Sequence, residues 1–351
     1  MGRVRDLEIR PVEPDDAADL YVIVSDPRVA RTTVQLPSME FAETQAWLAT
    51  SQPGRYRLVA AAGGRVIGSG GLTVNQNPRR AHSAKFGLII HPNYWNQGIG
   101  TALTAAALDL ADNWLDMRRV ELDVFTHNPA AVRVYEKLGF QVEGTRRAVV
   151  FQGGQFHDEF AMARLSGCEH LTSAPAAEPL PPEESRRPIK DIRIRPPRIE
   201  DARPLYALFR DPRVSRTTLQ LPSQELPRTE GRLRDQNSNV FRYLAEVEGQ
   251  VVGQISIHRD GRPRLAHAAG LGMMVHPDYW CRGVGTALIA ASVDLADNWL
   301  NLKRLYLEVN TDNPAGLRLY QKFGFEIEGA YRFHAFGDGR WADSYFMARV
   351  L

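Results

Sequence analysis

Two segments of the chain, HPNYWNQGIGTAL from His91 and HPDYWCRGVGTAL from His276, set a Gly-x-Gly between an apolar run and an alanine-rich helical pattern. A strand that stops at such a turn and re-emerges as a helix leaves the first N–H groups of that helix without backbone partners. Those donors, with the helix dipole, attract an anion. Gly98 and Gly100, like Gly283 and Gly285, let a phosphate approach the backbone where a Cβ would obstruct it. Taken alone, the pattern is equally a tight strand-to-helix turn that binds nothing. Neither copy has the full GxGxxG of a dinucleotide fold or the Gly-Lys-Ser/Thr end of a nucleotide-phosphate loop, which argues against nucleotide hydrolysis.

A second pair of segments follows each glycine turn: NPAAVRVYEKLGF from Asn128 and NPAGLRLYQKFGF from Asn313. With the glycine turns they resemble the GNAT superfamily of N-acetyltransferases. In that family a Q/R-x-x-G-x-G/A loop binds the pyrophosphate of acetyl-coenzyme A, and an N-x-x-A-x-x-x-Y-x-K-x-G-F segment contributes to the same site. The matching loops here run from Trp95 to Gly100 and from Trp280 to Gly285. The second segment is matched by Asn128, Ala131, Tyr135, Lys137, Gly139 and Phe140, and by its copy, where Gly316 stands for Ala131. The first loop position, Gln or Arg in the family, is Trp95 or Trp280, and Gln97 or Arg282 stands just before the first glycine. RTTVQLP, NPRRAH, DNWL and FMAR look most like small bacterial L-amino-acid N-acetyltransferases.

The resemblance implies an acyltransferase that moves acetyl from acetyl-coenzyme A to a small-molecule amine, an amino acid or amino-acid-like antimetabolite. It places the cofactor against Leu88, Ile90, Gln97, Gly98, Ile99, Gly100, Thr101 and Asn128 in the first copy. In the second these are Met273, Val275, Arg282, Gly283, Val284, Gly285, Thr286 and Asn313. Tyr135 and Tyr320 match the tyrosine that protonates the departing thiolate; otherwise they pack on the sheet. An amine is mostly protonated at neutral pH, so a base is needed. Asp123 and Glu308, five residues before each Asn, are that base or else salt-bridged strand carboxylates; Glu121 is weaker, its counterpart being Tyr306. Backbone N–H groups around Gly87-Leu88 and Gly272-Met273 would hold the oxyanion.

For the acceptor, Arg31, Thr32 and Gln35, and Arg216, Thr217 and Gln220, would hold a substrate carboxylate, or form a surface arginine beside a helix cap. His82 and His267 suit a proton relay or a packed loop; His91 and His276 precede Pro and shape the turn. No metal site is expected. Polyamine, antibiotic or protein N-terminal acetylation is the alternative within enzymes, and a non-catalytic coenzyme A sensor the alternative outside them.

The elements that must position these groups are also written twice. DPRVARTTVQLPS from Asp26 returns from Asp211 as DPRVSRTTLQLPS, and LADNWL from Leu110 returns from Leu295, always 185 residues on. That offset is the size of a domain rather than of a solenoid unit. In each copy LEIRPV-like alternation gives a strand, and an acidic start at Glu13, Asp15 and Asp16 opens a helix. A hairpin turns at Gly63-Gly64, and a further strand leads to the glycine loop. TALTAAALDLADNWLDM then reads as one helix with Leu103, Ala106, Ala107, Leu110, Trp114 and Met117 on a face. A strand, a short helix ended by Gly139 and two strands around Gly153-Gly154 complete the copy. The fold class is α/β (α+β), two tandem domains, each a mixed, mostly antiparallel sheet with helices on both faces.

The expected domains are 1–167 and 191–351, joined by a Pro-rich linker, 168–190. They would pack as an intramolecular pseudo-dimer, with a homodimer also possible. Net charge is +2 with no long basic or acidic block, so no nucleic-acid partner is suggested. No apolar run reaches the roughly 20 residues of a membrane span, and no secretory signal pattern opens the chain. Two cysteines cannot make a disulfide framework, and a cytoplasmic protein is expected. Lys85 against Gly270 and Phe86 against Leu271 imply that the two acceptor pockets differ.

Overall fold

The computed structural model describes residue 4, residues 6–168, residue 182 and residues 186–351. Residues 169–181 and 183–185 of the expected linker lie outside the described residues. The chain divides into two compact units, Met1–Arg146 with Val150–Leu171, and Arg147–Val149 with Thr172–Leu351.

In the first unit β1 (Glu8–Pro11) leads through a 3-10 turn into α1 (Ala17–Val24). Asp16 fixes that entry: its carboxylate accepts the Glu13 N–H at 2.7 Å and both terminal nitrogens of Arg10. α2 (Pro27–Ala30) and α3 (Phe41–Ala49) follow, then β2 (Arg55–Ala62) and β3 (Arg65–Val74). The hairpin between these strands turns at Gly63-Gly64, both at positive φ, as the sequence predicts. Next come β4 (Ser83–Ile90), α4 (Ile99–Asn113), β5 (Arg119–Phe125), α5 (Pro129–Lys137), β6 (Gln141–Gln152) and β7 (Gln155–Leu165). The strands lie in the order β1-β2-β3-β4-β5-β7-β6, antiparallel except for β4–β5. Alternation along β2 separates two layers: Val59 packs with Leu20 and Ile23 of α1, and Ala60 with Ile99 and Leu103 of α4. Helices therefore cover both faces.

α4 is shorter than its apolar pattern predicts. It ends at Asn113, with Asp116 in the left-handed region and the Leu115 and Met117 amides returning to the Leu110 and Ala111 carbonyls. Trp114 is 78% exposed, and the buried face is instead Ile99, Leu103, Thr104, Ala107, Leu108 and Ala111.

The second unit repeats the set: β8 (Arg193–Arg195), α6 (Ala202–Arg210), α7 (Pro212–Thr217), α8 (Leu226–Arg234), β9 (Val240–Val247), β10 (Gln250–Arg259) and β11 (Ala268–Val275). α9 (Val284–Asn298), β12 (Arg304–Asn310), α10 (Pro314–Lys322), β13 (Glu326–Gly337) and β14 (Arg340–Val350) complete it. Its strand order is β8-β9-β10-β11-β12-β14-β13. The linker expected over 168–190 is shorter at its C-terminal end. The Ile189 amide bonds to the Arg282 carbonyl, and its side chain packs against the unit's core.

One irregularity matters for the site. The parallel pair β4–β5 holds only over Ser83–Lys85 against Arg119–Glu121, and β11–β12 only over Ala268–Gly270 against Arg304–Tyr306. Beyond these residues the two strands have no mutual hydrogen bonds, so each unit opens a cleft in its own sheet.

Candidate active site

The cleft exposes backbone donors in a set order. The His91 amide bonds to Ile67 of β3, and the His276 amide to Val252 of β10. Because N–H direction alternates along a strand, the amides of Leu88 and Ile90, and of Met273 and Val275, face the opened side. These are the strand residues the sequence assigns to the cofactor.

At the cleft's mouth Gly98 and Gly283 cap α4 and α9 at φ 87° and 98°. The first hydrogen bond in each helix is made by Ala102 or Ala287, so the four preceding amides have no helical partner. Gly100 and Gly285 serve packing: a Cβ at Gly285 would come within 2.9 Å of Leu319, and one at Gly100 within 3.2 Å of Ile90. The Trp95 indole donates to the Ile90 carbonyl at 2.9 Å, and that of Trp280 to Val275 at 2.8 Å, tying each loop to its strand end. Gln97 and Arg282 bond back to the carbonyls of Asn93 and Asp278 in their own turns. Asn128 and Asn313 cap α5 and α10, accepting the amides of Ala131 and Gly316.

In the second unit these parts share one cavity of about 870 Å³. Its wall includes Gly283, Gly285 and Thr286 of the loop, Met273 and Val275 of β11, Asn313 and Tyr320 of α10, and Glu308 of β12. Tyr320 is buried against Phe325, and burial pushes its phenol up to about 12, which keeps the proton in place at neutral pH. Tyr135 is buried between Phe86 and Phe140 and is likewise raised by burial.

The two candidate bases differ sharply. Asp123 is held by Lys85 at 2.6 Å and Arg146 at 2.7 Å. Burial alone would raise its pKa, but the two cations outweigh burial and hold it well below the carboxylate range. Glu308 has Gly270 and Tyr331 at the corresponding places and lies 3.4 Å from His334 Nε2. Glu121 is bound to Arg80 and Arg119, so it is a structural ion pair.

The acceptor loop departs from expectation in one respect. Thr217 and Gln220 line the cavity, although Thr217, like Thr32, also bonds a helix-end carbonyl. Arg216 is not on the wall: it is exposed and paired with Asp338 at 3.1 Å. Arg31 is exposed as well, and the N–H of Gln35 caps back to Thr33. Three guanidinium groups do line the cavity: Arg318 of α10, on the helix that carries Tyr320, and Arg232 of α8 and Arg242 of β9 on the acceptor side. Arg242, Ser256 and Gly272 form one row across β9, β10 and β11. Burial, then the charges of Arg228 and Arg242, lower the Arg232 pKa; burial and Arg242 lower that of His258. In the first unit Trp47 takes the place of Arg232, and Arg57 lies 4.8 Å over its ring. Other histidines and acids near the cleft make local hydrogen bonds. His91 and His276 cap their turns, the His82 and His267 carbonyls accept the amides that open β5 and β12, and Asp343 accepts the Phe333 amide.

Arg232, Arg242, His258, His334 and Ser344 were not singled out by the sequence reading. Each lines the cavity, and four of the five differ from their counterparts 185 residues earlier, Arg242 alone being matched by Arg57. A residue-by-residue comparison of the copies would have marked those four.

Residues 6–141 match the family model described as an acetyltransferase (GNAT) domain, and residues 203–325 that of the acetyltransferase (GNAT) family. The L-amino acid N-acetyltransferase AaaT of Escherichia coli (strain K12) is 36% identical over 160 residues, 46% of this chain and 98% of that protein. The spermidine N(1)-acetyltransferase of the same strain is 24% identical, over 44% of this chain and 82% of that protein. Among solved structures, an acetyltransferase of the GNAT family from Streptococcus pneumoniae is 30% identical with a TM-score of 0.42, covering 46% of this chain and all of that one.

Proposed function

The chain belongs to the GNAT acetyltransferases, with acetyl-coenzyme A as the acetyl donor, and we propose that its second unit acetylates the amine of a small molecule that also carries a carboxylate, such as a free amino acid. The observation that carries this reading is the continuity of one cavity, from the helix-start loop past Tyr320 and Glu308 to Arg232 and Arg242. The acidic side chains on its wall are Glu308 and Asp312, neither of them on α8 or β9. Two guanidiniums and Gln220 there suit an anion and disfavour a polycation.

The chemistry follows from the placement. The N-terminus of α9 would hold the coenzyme A pyrophosphate, and the open amides of β11 its pantetheine. Glu308 takes a proton from the ammonium, and the free amine attacks the thioester carbonyl. The Met273 amide supports the oxyanion, and Tyr320 protonates the departing thiolate. The first unit keeps the loop, so it binds coenzyme A too.

The test is kcat/KM for an amino acid against its decarboxylated amine. A charge-assisted hydrogen bond contributes about 1.5–3 kcal/mol, so the acid should be favoured roughly 10- to 150-fold. Arg232→Ala/Arg242→Ala should abolish that preference. Preference of the wild type for the amine, or for spermidine, would reject the carboxylate reading and favour a polyamine acceptor.

A further inference from the structure

Four polar side chains of the second unit form a chain that ends at Glu308. Asn310 Nδ2 donates to the Arg216 carbonyl at 3.3 Å, which turns its Oδ1 toward Ser344. The Ser344 hydroxyl donates to that Oδ1 at 3.2 Å, and its oxygen lies 2.9 Å from His334 Nδ1. A hydroxyl has one proton, and Asn310 already holds it, so the contact with the imidazole requires Nδ1 to be the donor. The neutral ring then carries its lone pair on Nε2, the nitrogen 3.4 Å from Glu308 Oε2. His334 is only 2% exposed, and Tyr331 on the same strand lies against its ring at 5.0 Å. The groups facing the ring thus include Glu308 from β12, Tyr331 from β13 and Ser344 from β14.

We propose that His334 is a proton-relay residue which, acting through Glu308, takes up the first proton lost by the acceptor amine. The proposal rests on the reading of the second unit as a transferase. The ammonium gives a proton to the Glu308 carboxylate, and the protonated carboxyl passes it to Nε2, leaving an imidazolium held by Ser344 and a carboxylate beside it. After attack, the second nitrogen proton replaces the one Tyr320 gives to the thiolate. The imidazolium releases its proton to water as products leave. One ammonium and one thioester thus yield one amide, one thiol and one proton. In the first unit the sequence counterparts of His334, Ser344 and Asn310 are Val149, Glu159 and Phe125, so the relay belongs to the second unit alone.

The test uses the full chain with acetyl-coenzyme A and the best amino acid of a panel, from pH 6 to 10. His334→Gln should lower kcat/KM about 10²-fold at pH 7, and the deficit should close as the pH nears the amine's own pKa, where free amine needs no base. Ser344→Ala should shift the profile the same way by less. A deficit equal at every pH marks a merely structural histidine and overturns the relay, as does no deficit. Should His334→Gln fail to fold, ¹⁵N NMR of the wild-type ring decides: the Nδ1–H tautomer is expected, and the Nε2–H tautomer overturns the proposal. A wild type that acetylates no amine in the panel would instead refute the transferase reading, and the tautomer would still judge the relay's geometry.

Discussion

Five residues before the capping asparagine, the first unit presents Asp123 clamped between Lys85 and Arg146, and the second presents Glu308, 40% exposed, beside His334. The backbone behind these carboxylates is alike in the two units. From α3 and α8 onward element bounds correspond at an offset of 185, the strands part after three paired residues, and a glycine at positive φ caps the long helix. What the two units share is built from backbone: amides left open by the cleft and by the helix start. What they do not share is built from side chains reaching into that space. A cofactor held by backbone donors survives side-chain drift, whereas a proton acceptor does not. Under the proposed function we therefore assign cofactor binding to both units and acetyl transfer to the second.

The strongest way to break that assignment is to remove each tyrosine hydroxyl in turn. Tyr320→Phe should lower the chain's kcat by about 10²–10⁴-fold, the usual worth of a general acid. Tyr135→Phe should leave it unchanged, and both variants should still bind two coenzyme A molecules by calorimetry. Were the two units equally active, Tyr320→Phe would retain about half of the turnover, since a chain with two acids loses only one.

A second effect, in stability, follows from the clamp. The folded pKa of Asp123 is depressed, so its contribution is complete above the unfolded value of about 3.9 and is lost as pH falls toward the folded value. Asp123→Asn should therefore cost about 3 kcal/mol at pH 7 and flatten the acid limb of a urea-unfolding series below pH 4. An unchanged acid limb in Asp123→Asn would show that the ion pairs contribute nothing net.

The fold and the loop and cap geometry of the candidate site were readable in the sequence because they depend on local rules. Gly98 and Gly283 announce a helix start, Gly63-Gly64 a hairpin, and Asn128 and Asn313 helix caps, all from residues a few positions apart. The acceptor half depends on side chains brought together from distant elements. Arg216 looked suitable because its run recurs, yet Asp338, from the turn after β13, holds it outside the cavity. Arg232 and Arg242 come from α8 and β9, and His334 from the bulged stretch of β13 between Tyr331 and Ala335. Recurrence between the copies pointed to what they have in common; the side chains that distinguish the second unit lie where recurrence fails.

The smallest expected effect tests whether the cradle is common to both units. The family's Gln or Arg at the first loop position is replaced by Trp95 and Trp280, whose indole N–H groups bond to the last strand carbonyl at 2.9 and 2.8 Å. Phenylalanine keeps an aromatic ring but has no donor, so Trp95→Phe and Trp280→Phe each lose one hydrogen bond, a net contribution of about 0.5–1.5 kcal/mol. If the bond holds the loop in its binding conformation, that loss should appear as weaker coenzyme A binding, roughly 2- to 10-fold at the altered site, with the other site unaffected. Because the two bonds are alike in length and partner, the two variants should weaken binding equally in calorimetry. A clear inequality would mean that the glycine loops are not equivalent cradles, and the division of the units into shared backbone and divergent side chains would have to be redrawn at the cofactor itself.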